Sequence, residues 1–368
     1  MTRTDDLLPE GLADRLPQST SRIAEAVHNC LDVLHSHGYD RVRPPLLEFE
    51  QSLASRMRGI ETRKMFRFVD PASLRTLALR SDITPQIGRI AATSMAEAPR
   101  PLRLAYCGDT AIIRADQLDP ARERLQLGGE LIGADTVEAA GEIVAVAVET
   151  LRAAGLSGIS VDFTLPDLVD TLAEEAMPLD AEQIESVRRE LDTKDAGGLS
   201  SIGGEAYLPL LYAAGPFDEA IEKLSAIDAG GALTSRIAGL KAIAERVGDR
   251  ARITLDPTER HGFEYQSWFG FTLYADGVRG AAGRGGTYRI VGSDEAATGF
   301  TLYVDRVAEA GDEPGGAMTV YLPTGHDQAA AEQLRLENAR TIAQIGDGED
   351  PAALGCNFIL EGNEAKRL

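Results

Sequence analysis

The densest collection of side chains able to do chemistry is RHGFEYQSWFGFTLY, where Arg260, His261, Glu264, Tyr265, Gln266 and the only tryptophan, Trp268, fall within nine residues. Polar groups interleaved with rings suit a small polar metabolite, because rings build walls and a few polar atoms set orientation. An amphipathic strand with one wet face would give the same pattern. The glycine-rich run GAAGRGGTY follows, from Gly280 to Tyr288. It reads as a hairpin turn, or as backbone on which a ligand can lie flat, since glycine adds no Cβ. It is not a dinucleotide fingerprint, which would precede a helix. P-loop, GxSxG and HExxH patterns are absent from the chain. The three cysteines, Cys30, Cys107 and Cys356, are widely spaced and form no CxxC, and of five histidines only His35 and His37 are near neighbours. No metal site is expected.

These residues need a scaffold, and the chain of 368 residues is long enough for two or three domains. Apolar residues at helical spacing from Ser21 to His37 predict a helix stopped by Gly38. YDRVRPPLLEFEQSL reads as an edge or interface strand, since Pro44 and Pro45 bar a central position. Short strands are expected at 65–69 and 77–79, then a helix with Pro85 in its first turn running to about Ala96. Strands at 102–107 and 125–132 flank a long charged loop. Asp135 with Glu138 three residues on predicts a capped helix ending at Gly155. Ile159, Val161 and Phe163 alternate as a strand. Residues 166–250 read as almost wholly helical, and strands return at 251–255, 269–274, 287–290 and 298–304. A strand at 318–322, a helix at about 327–345 and a strand near Phe358 close the chain. The expected class is α+β: an antiparallel sheet with flanking helices. The expected division is a core of residues 1–165 and 251–310, a helical insertion at 166–250 and a small α/β tail at 317–368.

Composition narrows function. Asp plus Glu outnumber Lys plus Arg by 58 to 37, a formal charge of −21. Nucleic-acid binding needs a basic surface, so it is not expected. No apolar run approaches the roughly 18 residues of a membrane span. The acidic N-terminus lacks the apolar stretch of a signal peptide. A cytoplasmic protein without cofactor is expected.

Six segments, in order, resemble histidyl-tRNA synthetase, a class II aminoacyl-tRNA synthetase. RHGFEYQSWFGF is similar to its histidine-binding loop, and YDRVRPPLLEFEQSL to motif 1, the dimer strand, with Pro45 at the motif proline. ALRSDITPQIGRI resembles the segment that grips the histidine ammonium, which implies ligand contacts for Asp82 and Thr84. LAYCGDTAIIRADQLDPARERLQLGGELIG resembles motif 2 without a gap and places Gln126 and Glu130 at amino-acid-contacting positions. GRGGTY resembles the substrate-lining strand, with Tyr288 at its tyrosine. ATGFTLYVDRV resembles motif 3, with Arg306 at the motif arginine. The implied histidine-binding set is Asp82, Thr84, Gln126, Glu130, His261, Tyr265 and Tyr288. Asp82 and Glu130 could instead be salt-bridged scaffold, and the tyrosines core packing.

The departures concern ATP. Ile112 stands where motif 2 has the arginine that clamps the α-phosphate, and Arg114 where it has a glutamate. His261 replaces a histidine-specific arginine, and Tyr303 is bulky where motif 3 is small. An isoleucine cannot offset the charge of a transferring phosphoryl group. A retained amino-acid pocket without ATP chemistry resembles the ATP phosphoribosyltransferase regulatory subunits. That resemblance implies no catalytic residues, a homodimer core, a short-form catalytic subunit as partner, a role in histidine biosynthesis and histidine as effector, with Arg306 reduced to a structural role. A working histidyl-tRNA synthetase and a dimeric scaffold with an empty pocket are the alternatives.

Overall fold

The structure, a computed structural model, describes residues 7–55, 65–113, 120–228, 230–260, 266–293, 295–311 and 318–368. The chain divides into two compact units, Met1–Gly311 and Asp312–Leu368.

The first unit is organised by a nine-stranded sheet. Its strands are β1 (Asp40–Arg41), β5 (Leu102–Ala111), β6 (Glu123–Ile132), β7 (Ser160–Thr164), β8 (Gly215–Pro216), β9 (Arg252–Leu255), β10 (Gln266–Tyr274), β11 (Gly283–Arg289) and β12 (Ala296–Tyr303). The spatial order is β1-β5-β6-β12-β11-β10-β7-β9-β8. From β5 to β7 every pairing is antiparallel, while β1 on β5 and β9 on β7 are parallel. The α+β expectation therefore holds. A separate three-stranded sheet consists of β2 (Leu47–Phe49), β3 (Arg67–Val69) and β4 (Thr76–Leu79), with β4 in the middle. Pro44 and Pro45 sit between two edge strands, β1 and β2, where a missing N–H breaks no ladder.

Helices α1 (Pro17–Ser36) and α4 (Val137–Ala153) back the large sheet, α2 (Glu50–Ser55) follows β2, and α3 (Thr84–Ala92) precedes β5. Gly38, at φ +80°, ends α1 as expected. The cap of α4 is Thr136, one residue beyond the expected Asp135; its hydroxyl accepts from the Ala139 N–H at 3.3 Å. The Asp135 carbonyl is used elsewhere, by the Trp268 indole at 2.8 Å.

Residues 166–250 form α5 (Leu168–Glu175), α6 (Ala181–Asp192), α7 (Ala196–Ser201), a 3-10 turn at Glu205–Tyr212, α8 (Phe217–Ile227) and α9 (Thr234–Val247), and α10 (Val304–Ala310) follows β12. The segment also supplies β8, a strand the helical pattern hides. Gly215 and Pro216 carry little strand propensity, and Pro216 is tolerated because β8 is the outermost strand. Leu172, Leu199, Leu224 and Leu240 from these helices share one buried core with Phe163, Phe269, Phe271 and Phe300 of the sheet. Each such side chain contributes roughly 1.5–3 kcal/mol on burial.

In the second unit β13 (Thr319–Leu322) is paired in parallel with β14 (Arg340–Ala343) and β15 (Phe358–Glu361), and β16 (Glu364–Arg367) runs antiparallel to β15. Helix α11 covers only Gln328–Leu336, shorter than the expected 327–345. Asn338 adopts a left-handed φ of +67°, which stops the helix, and the next residues become β14. Among the described residues no helix is long and apolar enough to cross a membrane.

Candidate functional site

Gln126 and Glu130 lie four residues apart on β6, so the pleat turns them to the same face. Glu130 is only 1% exposed. Its Oε1 accepts from the Thr84 hydroxyl at 3.1 Å and the Tyr106 hydroxyl at 3.3 Å, and its Oε2 accepts from the Tyr288 hydroxyl at 2.8 Å. These donors come from α3, β5 and β11, and only the folded sheet brings them together. Thr301 on β12 completes the set, with its hydroxyl 2.5 Å from that of Tyr106. Glycine makes the room: a Cβ on Gly299 would lie 1.6 Å from Glu130 Oε2.

Burial pushes the Glu130 carboxyl up to about 8, against the pull of the three hydroxyl donors, with the nearby Asp82 charge adding to the rise. Burial also raises Asp82, whose Oδ1 accepts the Thr84 N–H at 3.2 Å, and backbone hydrogen bonds hold it partly back. Burial, then the Glu130 and Asp82 charges, hold Tyr106 far above the usual phenol range, so it remains a hydrogen-bond donor. The Gln126 side-chain Oε1 accepts the Ile83 N–H at 3.1 Å and thereby fixes the chain entering α3.

Thr84, Glu130, Tyr288, Gln266, Arg284 and Gly299 line a cavity of about 20 Å³. That is space for a water molecule. Arg284 also lines a second cavity, of about 920 Å³, which Gln126, Ile112, Tyr303 and Arg306 border as well. Arg306 donates to the Ala281 carbonyl at 3.1 Å and its guanidinium lies 5.2 Å from the Tyr303 ring centre.

Of the residues expected from sequence, the structure brings Thr84, Glu130 and Tyr288 into direct contact, sets Asp82 beside them and places Gln126 at the larger cavity. His261, Tyr265 and Arg114 lie outside the described residues. The salt-bridged alternative for Glu130 does not hold: among the described residues its partners are hydroxyls. Trp268 is a correction to the reading of its cluster as a pocket wall. Its ring packs on Phe269 at 5.4 Å and its N–H is bound to Asp135. Gln266 does enter the small cavity, its Nε2 donating to the Gly285 carbonyl at 2.8 Å. The pairing of β10 with β11 shifts register between Gln266 and Gly270, so simple alternation fails there. The glycines at 283–286 are strand, not turn, and the reversal precedes them. Tyr106, Arg284 and Thr301 were not anticipated as site residues, although they lie within LAYCGD, GRGGTY and ATGFTLYVDRV.

The family model for histidyl-tRNA synthetase matches residues 11–307. An ATP phosphoribosyltransferase regulatory subunit from Rhodospirillum centenum is 38% identical over 372 residues, covering 98% of this chain and 96% of its own. One from Paramagnetospirillum magneticum is 39% identical, covering 94% and 92%. The chain belongs to the family of ATP phosphoribosyltransferase regulatory subunits. A solved structure from Bacillus halodurans, titled as such a regulatory subunit/histidyl-tRNA synthetase, superimposes with a TM-score of 0.81 at 25% identity over 96% of this chain and 97% of that one. Histidyl-tRNA synthetase from a Nostoc species gives 0.77 at 16% identity, over 96% and 90%, and shares the fold. Ile112 stands at the edge of the larger cavity.

Proposed function

We propose that this chain is the non-catalytic regulatory subunit of ATP phosphoribosyltransferase, acting in the cytoplasm with a short-form catalytic subunit, and that it senses histidine at Glu130. Its relatives are named for the regulatory role. The observation that carries the ligand assignment is the Glu130 carboxyl: buried, caged by three hydroxyl donors and, among the described residues, facing no ion-pair partner. An ammonium or imidazolium would supply the missing cation. Asp82 offers a second negative charge, and Gln126 and Tyr288 offer orientation.

The size of the small cavity gives the sensor its mechanism. Histidine exceeds 20 Å³ of space, so it enters only if the lining around Gln266 and Arg284 moves. A ligand that must reshape its pocket binds two conformations unequally, which is the requirement for shifting an assembly. Feedback inhibition needs about 1–3 kcal/mol of such coupling. The homodimer is supported by the small sheet, where Leu47 of β2 and Phe68 of β3 lie on one face and stay exposed. A cluster of apolar side chains facing water marks an interaction surface.

The test is co-purification with a short-form catalytic subunit, an assay of ATP condensation with phosphoribosyl pyrophosphate with and without histidine, and calorimetric titration of this chain. Activation by this chain, inhibition by histidine, and histidine affinity at least about tenfold weaker in Glu130→Gln are expected. Activation with neither histidine heat nor inhibition would leave a scaffold with an empty pocket. ATP–pyrophosphate exchange by the isolated chain would mean a working synthetase.

A further inference from the structure

The nine-stranded sheet ends on an edge that is only partly covered. β8 pairs with β9 at Leu255 and Thr254 alone, through Gly215 and Pro216. The chain then turns into α8 at Phe217, so among the described residues Arg252 and Ile253 have no strand outside them. On the inner side, where β9 runs parallel to β7, the Arg252 N–H bonds to the Ile159 carbonyl at 3.0 Å. Successive residues of a strand direct their hydrogen-bonding groups to opposite sides, so the Ile253 N–H and C=O turn outward.

A groove of about 900 Å³ lies along this edge. Phe217, Ala251 and Ile253, all half-buried, give it an apolar lining. Its rim is acidic: Asp218, Glu219 and Glu222 of α8 and Glu245 of α9 are exposed there, against one base, Lys241. Asp218 and Glu222 are four residues apart and share a helix face. None of the four carboxylates has a hydrogen-bond or ion-pair partner among the described residues. Edge and rim together select an occupant. Open N–H and C=O groups on a strand edge bond another strand. A second copy of this chain, paired by a two-fold axis, would bring the same acids to the same edge and be repelled. A strand with lysine or arginine on one face is attracted, and its alternate apolar side chains reach the lining.

We propose that this groove takes a basic, alternating segment of a partner protein as an added strand on the outer edge of β9. The segment's main chain bonds Ile253, its cationic side chains meet Glu222 and Glu245 at the rim, and its apolar side chains cover Phe217 and Ala251. The groove shares no lining residue with the two cavities described above, so the proposal does not depend on whether histidine binds at Glu130.

Fluorescence anisotropy on the full chain tests the proposal, with a labelled peptide of alternating lysine and valine, about eight residues long, as the probe. Saturable 1:1 binding is expected, and it should weaken as salt rises. Glu222→Gln combined with Glu245→Gln should weaken it by about five- to tenfold. Both positions are exposed, so the replacements leave the fold intact. Glu182→Gln on α6 removes an exposed acid that does not line the groove and should bind as wild type does. Hydrogen exchange at the Ile253 amide should slow by about tenfold or more in the complex. The proposal falls if the peptide does not saturate at millimolar concentration, or if a glutamate–valine peptide binds as well. It falls equally if Glu182→Gln weakens binding as much as the double variant, since the attraction would then be general. Binding that leaves Ile253 unprotected also overturns it, because the peptide would then rest on the rim without extending the sheet.

Discussion

Two cavities share the side chain of Arg284, and they solve opposite problems. The small one buries a carboxyl among hydroxyls, with room for a water molecule. The large one opens a row of guanidinium groups to solvent in a chain whose overall charge is strongly negative. In the first, desolvation decides: removing water from Glu130 costs more than three neutral donors return, so its acid form is stabilised. In the second, several arginines gather along one wide cleft, and Arg124 among them is ion-paired to Asp305 at 3.0 Å. The one hides its titratable group from water, and the other is wide and leaves Arg279 exposed. Shape and pH should act on the first far more than on the second.

Shape should give the largest effect. Gly299→Ala places a methyl group against Glu130 Oε2, where the neighbouring atom belongs to a buried, three-way hydrogen-bonded group. The carboxyl must swing out of its cage. Calorimetric titration should show loss of histidine binding by a factor of about a hundred or more, and urea unfolding a stability loss of about 1–3 kcal/mol.

Titration of Glu130 should follow in size. Its folded pKa is raised from 4.5 to about 8, so between those values the folded state holds a proton the unfolded state has lost. Its contribution to stability is full below about pH 4.5, declines as pH rises and is spent above about pH 8. Unfolding free energies at pH 5, 7 and 8.5 should fall in wild type, and the Glu130→Gln variant should lack that component. A histidine ammonium that ionises Glu130 should also release a proton. Binding heats would then differ between buffers of different ionisation enthalpy, and identical heats would show that the carboxyl does not meet the ligand's charge.

The sequence reveals these two regions unequally. Gln126 and Glu130 are readable because QLGGE sits within one strand and strand periodicity puts both on one face. Thr84 and Tyr288 are readable through resemblance to a known pocket. Tyr106 and Thr301 are not, since they meet Glu130 only through the register of β5 on β6 and β6 on β12. The arginine cleft is less legible still. Its five members come from three stretches, at 122–124, 279–284 and 306, and the excess of acidic residues masks them. Net charge, which argues fairly against nucleic acid as a partner, says nothing about a concave surface that gathers a minority charge. The sheet order was partly foreseeable, because antiparallel strands with flanking helices follow from the pattern of elements. The strand at 215–216 and the early end of α11 were not, because a two-residue edge strand and a left-handed Asn338 have no periodic signature.

The smallest effect concerns the residue that composition alone makes most conspicuous. Trp268 is the only tryptophan and sits in the densest polar–aromatic cluster, yet its indole N–H is bound to Asp135 and its ring packs on Phe269. Trp268→Phe removes one hydrogen bond and part of a ring while keeping an aromatic side chain. Urea unfolding should show a loss of about 1–2 kcal/mol from the orphaned carbonyl and the unfilled space. Histidine affinity should not move beyond about twofold, because this side chain borders neither cavity. If histidine affinity fell with stability unchanged, the indole would be a wall of the binding site after all. The register shift after Gln266 would then no longer explain why neighbouring residues of one strand divide between pocket and core.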